Sequence, residues 1–471
     1  MAVLAATVVA ASLTPAAHAF EVESFDARVV DEHGQLFEQA GGHPYEGYTA
    51  FAFKTTDAGA PDGHVKDIRV DVPPGLISNP QAIPQCTDDQ LQHSLCPPDT
   101  QLGVVSLTTY MGLRVGLQLP LYNMTIGPNQ VSRFGFNPQQ ALGGAPGEVL
   151  APLLEAAGIG TLEPTYIIGG VRDTSDYGLF FTISDIAAKP EIVDSRLTFW
   201  GVPGSADHNP ERGQICVQAL VPLPVCALGG LPATAGQIPF LTNPTTCSGP
   251  LPTTRLNVSA HEGATATATS TLPEVARRCE DVPFDPDIAF GPDTVSPDAP
   301  FGFSFNLHVP QSQEPDGIGT SHVKNVSVTL PPGMTISPSA ANGLEACTDA
   351  QFAEGTHDPI ACPSAARLGD VSISTPLLSD ALTGSIYLGQ PLPGDRYRLF
   401  LVADARGVTV RLKGSVHPDP ATGQLTAVFD DNPQVPFSNF TLTFRGGALA
   451  PLASPPTCGS VAGGSNLSPW S

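Results

Sequence analysis

Basic residues are scarce in this chain: 21 Lys and Arg stand against 45 Asp and Glu, a net charge of −24, and they cluster nowhere. A surface that holds nucleic acid needs grouped Lys and Arg to replace counterions at the phosphates, so nucleic acid is excluded as a partner, and anionic lipid with it. Charge of either sign is sparse, at 14% of residues, while 41% are hydrophobic, a balance that argues against disorder despite 49 Pro and 47 Gly. No apolar run after the first twenty residues is long enough to span a bilayer, so the mature chain is expected to have no transmembrane segment. Catalytic signatures are missing too. The chain has no G-x-S-x-G turn to present a serine, no phosphate-cradling G-x-x-x-x-G-K-[ST], and no H-E-x-x-H beyond the half-match at His261-Glu262. The expectation is a protein without enzymatic activity.

What the chain does contain starts with "MAVLAATVVAASLTPAAHAF", an apolar stretch ending in Ala17-His18-Ala19 before Phe20. That pattern reads as a secretory signal peptide over residues 1–19, although no Lys or Arg precedes it, which suggests a start further upstream. All nine cysteines follow the cleavage site. In an oxidising compartment their order predicts four local disulfides, Cys86–Cys96, Cys216–Cys226, Cys247–Cys279 and Cys347–Cys362, with Cys458 left over. Zinc is disfavoured, because no C-x-x-C and no His at ligand spacing accompanies them.

The most informative feature is a repeat. "VKDIRVDVPPGLISNP" (Val65 to Pro80) returns as "VKNVSVTLPPGMTISP" (Val323 to Pro338), and the match continues through Cys-Thr-Asp, Cys-Pro and Leu-Gly. Such similarity over some forty residues marks a duplication. In the second copy Lys324, Val326, Val328 and Leu330 alternate with Val323, Asn325, Ser327 and Thr329, the period of a strand with one buried face. Pro-Pro then removes two donors and stops the ladder, Gly permits the turn, and a local disulfide staples the loop that follows. "PFLTNPTTCSG" resembles "PLASPPTCGS", and "LPLYNM" resembles "GSIYLG", which sets Tyr122 opposite Tyr387. One helix is predicted, from the Val149, Leu150, Leu153, Leu154 spacing in the first copy, and the clearest hairpin is "GVTVRLKGSVHPDPATGQLTAVF".

These signals predict an all-β fold of tandem antiparallel β-sandwich domains, immunoglobulin-like or related, with a short helical insertion in the first unit. The expected organisation is a first unit over 20–250, a connecting β segment with a disulfide over 251–285, and a second unit over 286–471. If Cys247 bonds forward to Cys279, the matching Cys458 should bond beyond Ser471, so the second unit reads as truncated. The set "AGGHP", "VDVPPGL", "LTFWGVPGSADHNPERG", "TNPTTC", "CEDVPFDPDIAF" and "HPDPATGQLTAVFDDNPQVPFS" resembles large secreted actinobacterial proteins built of tandem cysteine-stapled β units. The resemblance spans nearly the whole mature chain and implies organisation and compartment, with no activity attached.

Two groups of residues are candidates for binding. In "WGVPGSADHNPERG", Trp200, Asp207, His208, Glu211 and Arg212 offer an aromatic floor, a His beside carboxylates and a guanidinium, as a carbohydrate-binding or carbohydrate-processing site would. Read plainly, the stretch is a polar loop leaving a strand with Trp200 in the core, and that reading is preferred. Asp285, Asp287 and Asp293, and Asp430 with Asp431, would permit calcium, the one cofactor in view, though Asp beside Pro is first of all turn chemistry. His64 and His322 recur at matching positions, whereas Asp67 becomes Asn325 and Asp99 becomes Ala365: scaffold persists while carboxylates drift. The expected function is a secreted or cell-surface structural or adhesive repeat protein whose partner is cell-wall polymer or a surface protein. Carbohydrate recognition and calcium-dependent adhesion are the alternatives.

Overall fold

A computed structural model describes residues 20–220, 222–227 and 229–471. The expected leader, 1–19, lies outside the described residues. Short runs rich in Val, Phe and Thr, cut by Gly and Pro, form strands throughout, and nearly all pairing is antiparallel. Counting only the strands along the main path of the two large sheets, and leaving out the side branch Ile215–Gln218 with Val225–Ala227, the first unit contributes Val22–Val30 (β1), Glu46–Phe53 (β2), Val65–Asp71 (β3), Gln101–Tyr110 (β4), Arg114–Asn123 (β5) and Ser132–Phe136 (β6). Thr165–Val171 (β7), Leu179–Ile183 (β8), Glu191–Trp200 (β9), Thr253–Ala260 (β10) and Thr265–Thr271 (β11) follow. They hydrogen-bond in the order β1-β2-β9-β4-β5-β6-β7-β8-β3-β10-β11.

The second unit repeats that order. Its strands are Asp287–Pro292 (β12), Phe303–His308 (β13), Val323–Thr329 (β14), Arg367–Ser374 (β15) and Leu382–Gly389 (β16). Arg398–Ala405 (β17), Val408–Pro418 (β18), Leu425–Phe429 (β19), Asn439–Phe444 (β20) and Gly464–Pro469 (β21) complete it. They pair as β12-β13-β20-β15-β16-β17-β18-β19-β14-β21, the same permutation without a partner for the last strand. The duplicated segment seen in the sequence is therefore the middle of a duplication that covers the whole described chain.

That order corrects one boundary. The segment 251–285, read as a connector, supplies β10 and β11, and β10 pairs with β3 from Arg255 opposite Asp71 to Ala260 opposite Val65. It belongs to the first unit's sheet. The hairpin of β10 and β11 is local, but β10 lies so far along the chain from β3 that nothing nearby signs their pairing, and only the ladder decides it.

The repeated motifs meet in space. Pro-Pro-Gly forms a turn in both copies, with Leu76 N–H donating to Pro73 O (3.4 Å) and Met334 N–H to Pro331 O (3.2 Å). Gly75 and Gly333 take φ of 84° and 83°, the left-handed region that glycine tolerates. Pro244 of "TNPTTC" and Pro455 of "SPPTC" pack on these glycines, and the strand tails Ile77–Ser78 and Thr335–Ile336 pair with Leu241–Thr242 and Leu452–Ala453. All four predicted disulfides form, and Cys458 is free and exposed. Each Cys-Thr-Asp opens a short helix, α1 (Asp88–Gln92) in the first copy. There Thr87 and Gln90 cap each other through side chain and backbone; the counterpart in the second copy is made by Thr348 and Gln351.

α2 (Gly144–Ala157) is the predicted helix, with Leu150 and Leu154 buried; α3 (Asp349–Phe352) is the second copy's short helix. The predicted hairpin is β18 and β19, its turn tied by Asp419 to the N–H groups of Ala421 (3.0 Å) and Thr422 (2.7 Å). One detail departs from simple alternation. A bulge after the first residue of β3 and β14, at the same place in both copies, turns Val65 and Val323 inward with Val70 and Val328.

Each sheet curls over its own core. Phe303, Phe305, Val323, Leu399, Leu401 and Leu442 fill the second unit; the first has one cluster around Leu102, Leu119, Phe134 and Leu150 and another around Phe53, Ile68, Leu256 and Val258. In the first unit the sheet's ends meet, where Ala27 N–H of β1 donates to Ser270 Oγ of β11 (3.0 Å).

The units are joined by specific contacts. Gly319 N–H donates to Gly41 O (2.7 Å), and Val131 and Val171 of the first unit pack against the second core. From the turn between β7 and β8, Tyr177 Oη accepts from Arg411 N–H (3.0 Å) and donates to Arg411 O (3.2 Å), while Asp173 Oδ2 accepts from Thr409 N–H (3.1 Å). Removing the phenol oxygen leaves both backbone groups of Arg411 without that partner, so Tyr177→Phe should weaken the join by about 1–2 kcal/mol. In calorimetry the melting transitions of the two units should then separate; an unchanged profile would show that the hydroxyl carries no coupling.

Candidate functional site

Trp200 ends β9, and the chain turns back through residues 201–213, so the five candidate residues of this loop do lie together. The loop closes on itself. Trp200 is fully buried and its ring stacks on His208, centroids 4.6 Å apart and planes 9° from parallel; Tyr45 packs on His208 too, tilted by 38° at 4.6 Å. Arg212, also buried, lies over Trp200 at 4.9 Å and donates to Pro203 O (2.7 Å), with longer bonds to Ser205 O and Gln101 O. A guanidinium that spends its donors on carbonyls of its own loop and of the segment leading into β4 ties the loop down. Burial holds the His208 imidazole at about 4, with Arg212 adding to the shift, so the ring is neutral near pH 7. Only Asp207 and Glu211 face solvent. The stack is a plug of the first core, and its aromatic floor is covered.

The calcium candidates stay apart. Asp285, Asp287, Asp293, Asp430 and Asp431 are all exposed, and among the described residues no group of three or more His, Cys, Asp or Glu is placed to hold a metal ion. The paired histidines diverge: His322 is buried, which lowers it to about 4, whereas His64 lies between Glu262 and Glu191. The hydrogen bond to Glu262 raises His64 despite a partial burial penalty. One sequence position thus serves two environments.

A cavity of about 330 Å³ is lined by Phe303, Val326, Leu399 and Leu442 of the second unit and by Val131, Val171 and Tyr177 of the first, with no Asp, Glu, His, Lys, Arg or Cys on its wall. Its wall is overwhelmingly apolar, with Tyr177 and Tyr397 as the titratable side chains on it.

The densest polar constellation is one the sequence reading passed over. The stapled loop Cys347–Cys362 lies across the outer face of β17 and β18. Arg398 forks onto Asp349 with two bonds of 2.8 Å, and Lys413 reaches Asp349 (2.9 Å) and Glu354 (2.6 Å). Arg398, then Lys413, hold the Asp349 carboxyl well below the usual carboxylate range. Farther along the same ladder, beyond Lys413, the buried Arg411 donates to the carbonyls of Ala353, Thr356 (2.6 Å) and Asp358 (2.6 Å). Arg411 and Lys413 alternate with Val410 and Leu412 along β18, and it is the stapled loop that covers their face. A trace was legible, since the first copy pairs Arg133 with Asp88 (2.7 Å) at the matching Cys-Thr-Asp. That carboxylate does not drift.

No protein-family model matches the chain, and no curated protein matches it. Among solved structures, the C-terminal domain of the AgI/II polypeptide BspA of Streptococcus agalactiae aligns over 94% of this chain and 95% of that one, at 7% identity and a TM-score of 0.16. At that score the likeness carries no argument, and the β-rich antiparallel fold rests on the chain's own ladders.

Proposed function

We propose that the chain is a secreted or cell-surface structural or adhesive repeat protein that acts without catalysis, by presenting stapled loops on two coupled β units. The observation that carries this reading is the use of polar groups as fasteners. Tyr177 joins the units, Arg411 and Arg398 fasten a disulfide loop to a sheet, and Arg212 seals the loop after β9. Four local disulfides and a leader pattern fit an oxidising, extracellular setting, where such fastening resists force and proteolysis. Among the described residues no helix is long and apolar enough to cross a membrane. Two coupled units multiply weak contacts, which suits a polymeric ligand such as cell wall.

A pull-down of the oxidised chain on purified cell wall of the producing organism tests the reading. Retention that survives EDTA is expected for a surface module binding wall polymer directly. Retention lost with EDTA would transfer the reading to calcium-dependent adhesion, and clean flow-through would remove the adhesive reading and leave a spacer.

A further inference from the structure

The two units differ at one place. In the first, β10 is covered on one edge by β3 and on the other by β11, from Thr253 opposite Thr271 to Ser259 opposite Thr265. In the second, β21 pairs with β14 in the same register, with Gly464 where Arg255 stands, Ser468 where Ser259 stands, and the bulge at the same step. Among the described residues nothing pairs with its other edge. Leu256 and Val258 are buried under their neighbours, whereas Ser465 and Asn466 are exposed and Leu467 is half-buried.

A second observation points the same way. Cys247 stands six residues before β10 and is bonded to Cys279, which follows β11; Cys458 stands six residues before β21 and is free and exposed. The first unit thus shows which strand lies against this edge and which sulfur bonds this cysteine in the matching copy. Natural edge strands are guarded by charges or inward-pointing Lys, but Gly-Ser-Asn-Leu-Ser-Pro carries no charge and only a terminal proline.

We propose that the outer edge of β21, together with Cys458, is an acceptor for a strand of the β11 kind supplied by another unit of this type. The donor is an extended segment of alternating small and β-branched residues, like Thr265–Thr271, trailed by a cysteine. It adds antiparallel to Gly464–Pro469, with main-chain hydrogen bonds giving affinity, and its cysteine then bonds to Cys458. The oxidant is a small-molecule disulfide such as glutathione disulfide. The Cys458 thiolate attacks it and releases one glutathione thiolate; the donor thiolate attacks the Cys458 sulfur and releases the second. Two thiols lose two electrons and two protons, and one glutathione disulfide becomes two glutathiones.

The test adds a synthetic peptide spanning residues 264–282 to the full chain in a glutathione redox buffer, with a scrambled peptide of the same composition as control. Docking before bond formation raises the local thiol concentration, so the native peptide should bond to Cys458 about tenfold faster than the scrambled one. Peptide mapping by mass spectrometry locates the bond. A peptide with Cys279→Ser should still protect edge amides within residues 464–468 from hydrogen exchange without forming the bond. Equal rates for both peptides, no adduct, an adduct at Cys247, or a Cys458–Cys458 dimer that outcompetes the peptide would each overturn the proposal.

Discussion

Arg411→Ala should destabilise the second unit by about 4 kcal/mol. Arg411 is buried, and its side chain meets three loop carbonyls and no carboxylate. Charge-assisted bonds of this kind contribute about 1.5–3 kcal/mol each before losses, and truncation leaves the carbonyls of Ala353, Thr356 and Asp358 facing a void. The loop keeps its disulfide and the Asp349–Arg398 pair, so the expected result is a loosened loop on a folded sheet rather than collapse. Urea unfolding measures the loss, and hydrogen exchange across residues 353–361 locates it. Arg411→Lys retains charge but not the planar fork, and should recover about half. A change under about 1 kcal/mol for alanine would mean that water replaces the guanidinium, and the fastening argument would fail.

Acidification should weaken the fold before any carboxylate does. His208 and His322 are each lowered to about 4 from an ordinary 6.5, chiefly by burial. The unfolded chain therefore binds protons that the folded chain refuses. The stability they contribute is present in full above about pH 6.5 and is lost as pH falls toward 4, by about 2 kcal/mol for each at pH 5. His43, lowered by burial, acts in the same direction. The Asp349 cluster enters later: its depressed carboxyl contributes above the ordinary 3.8 and is lost below it. His64, raised by Glu262, has the opposite sign, contributing below about 6.5 and fading as pH rises through its folded value. Urea midpoints between pH 7 and 5 should fall steeply, and His208→Phe with His322→Phe should flatten the slope, since Nδ1 of both rings has no hydrogen-bond partner to lose. A slope unchanged in both variants would place the acid sensitivity elsewhere.

Local signals carried a good part of the fold. Alternation marked β3, β14, β18 and β19, the leucine spacing marked α2, and cysteine order alone paired all four bridges, because loops that short leave few other partners. The capping helices were written in the repeated Cys-Thr-Asp, followed by Gln at the third helical position, although only the structure drew attention to it. The candidate loop after Trp200 was correctly grouped, since residues 200–212 are neighbours in sequence, but whether its aromatic floor faced solvent was not a local question. Tyr45, which closes it, comes from a turn more than 150 residues earlier.

The sequence by itself determined the class, the duplication, the staples and the turn chemistry, all of which depend on residues within one or two elements of each other. Tertiary structure alone decided three things: that β10 and β11 belong to the first sheet, that Arg411 is buried under a loop, and that β21 takes the place of β10 beside β14, with no partner for its outer edge among the described residues. Each depends on which strands lie side by side. Hydrogen-bond ladders between distant strands use backbone groups that every residue carries, so partner choice leaves no mark in any single stretch of sequence.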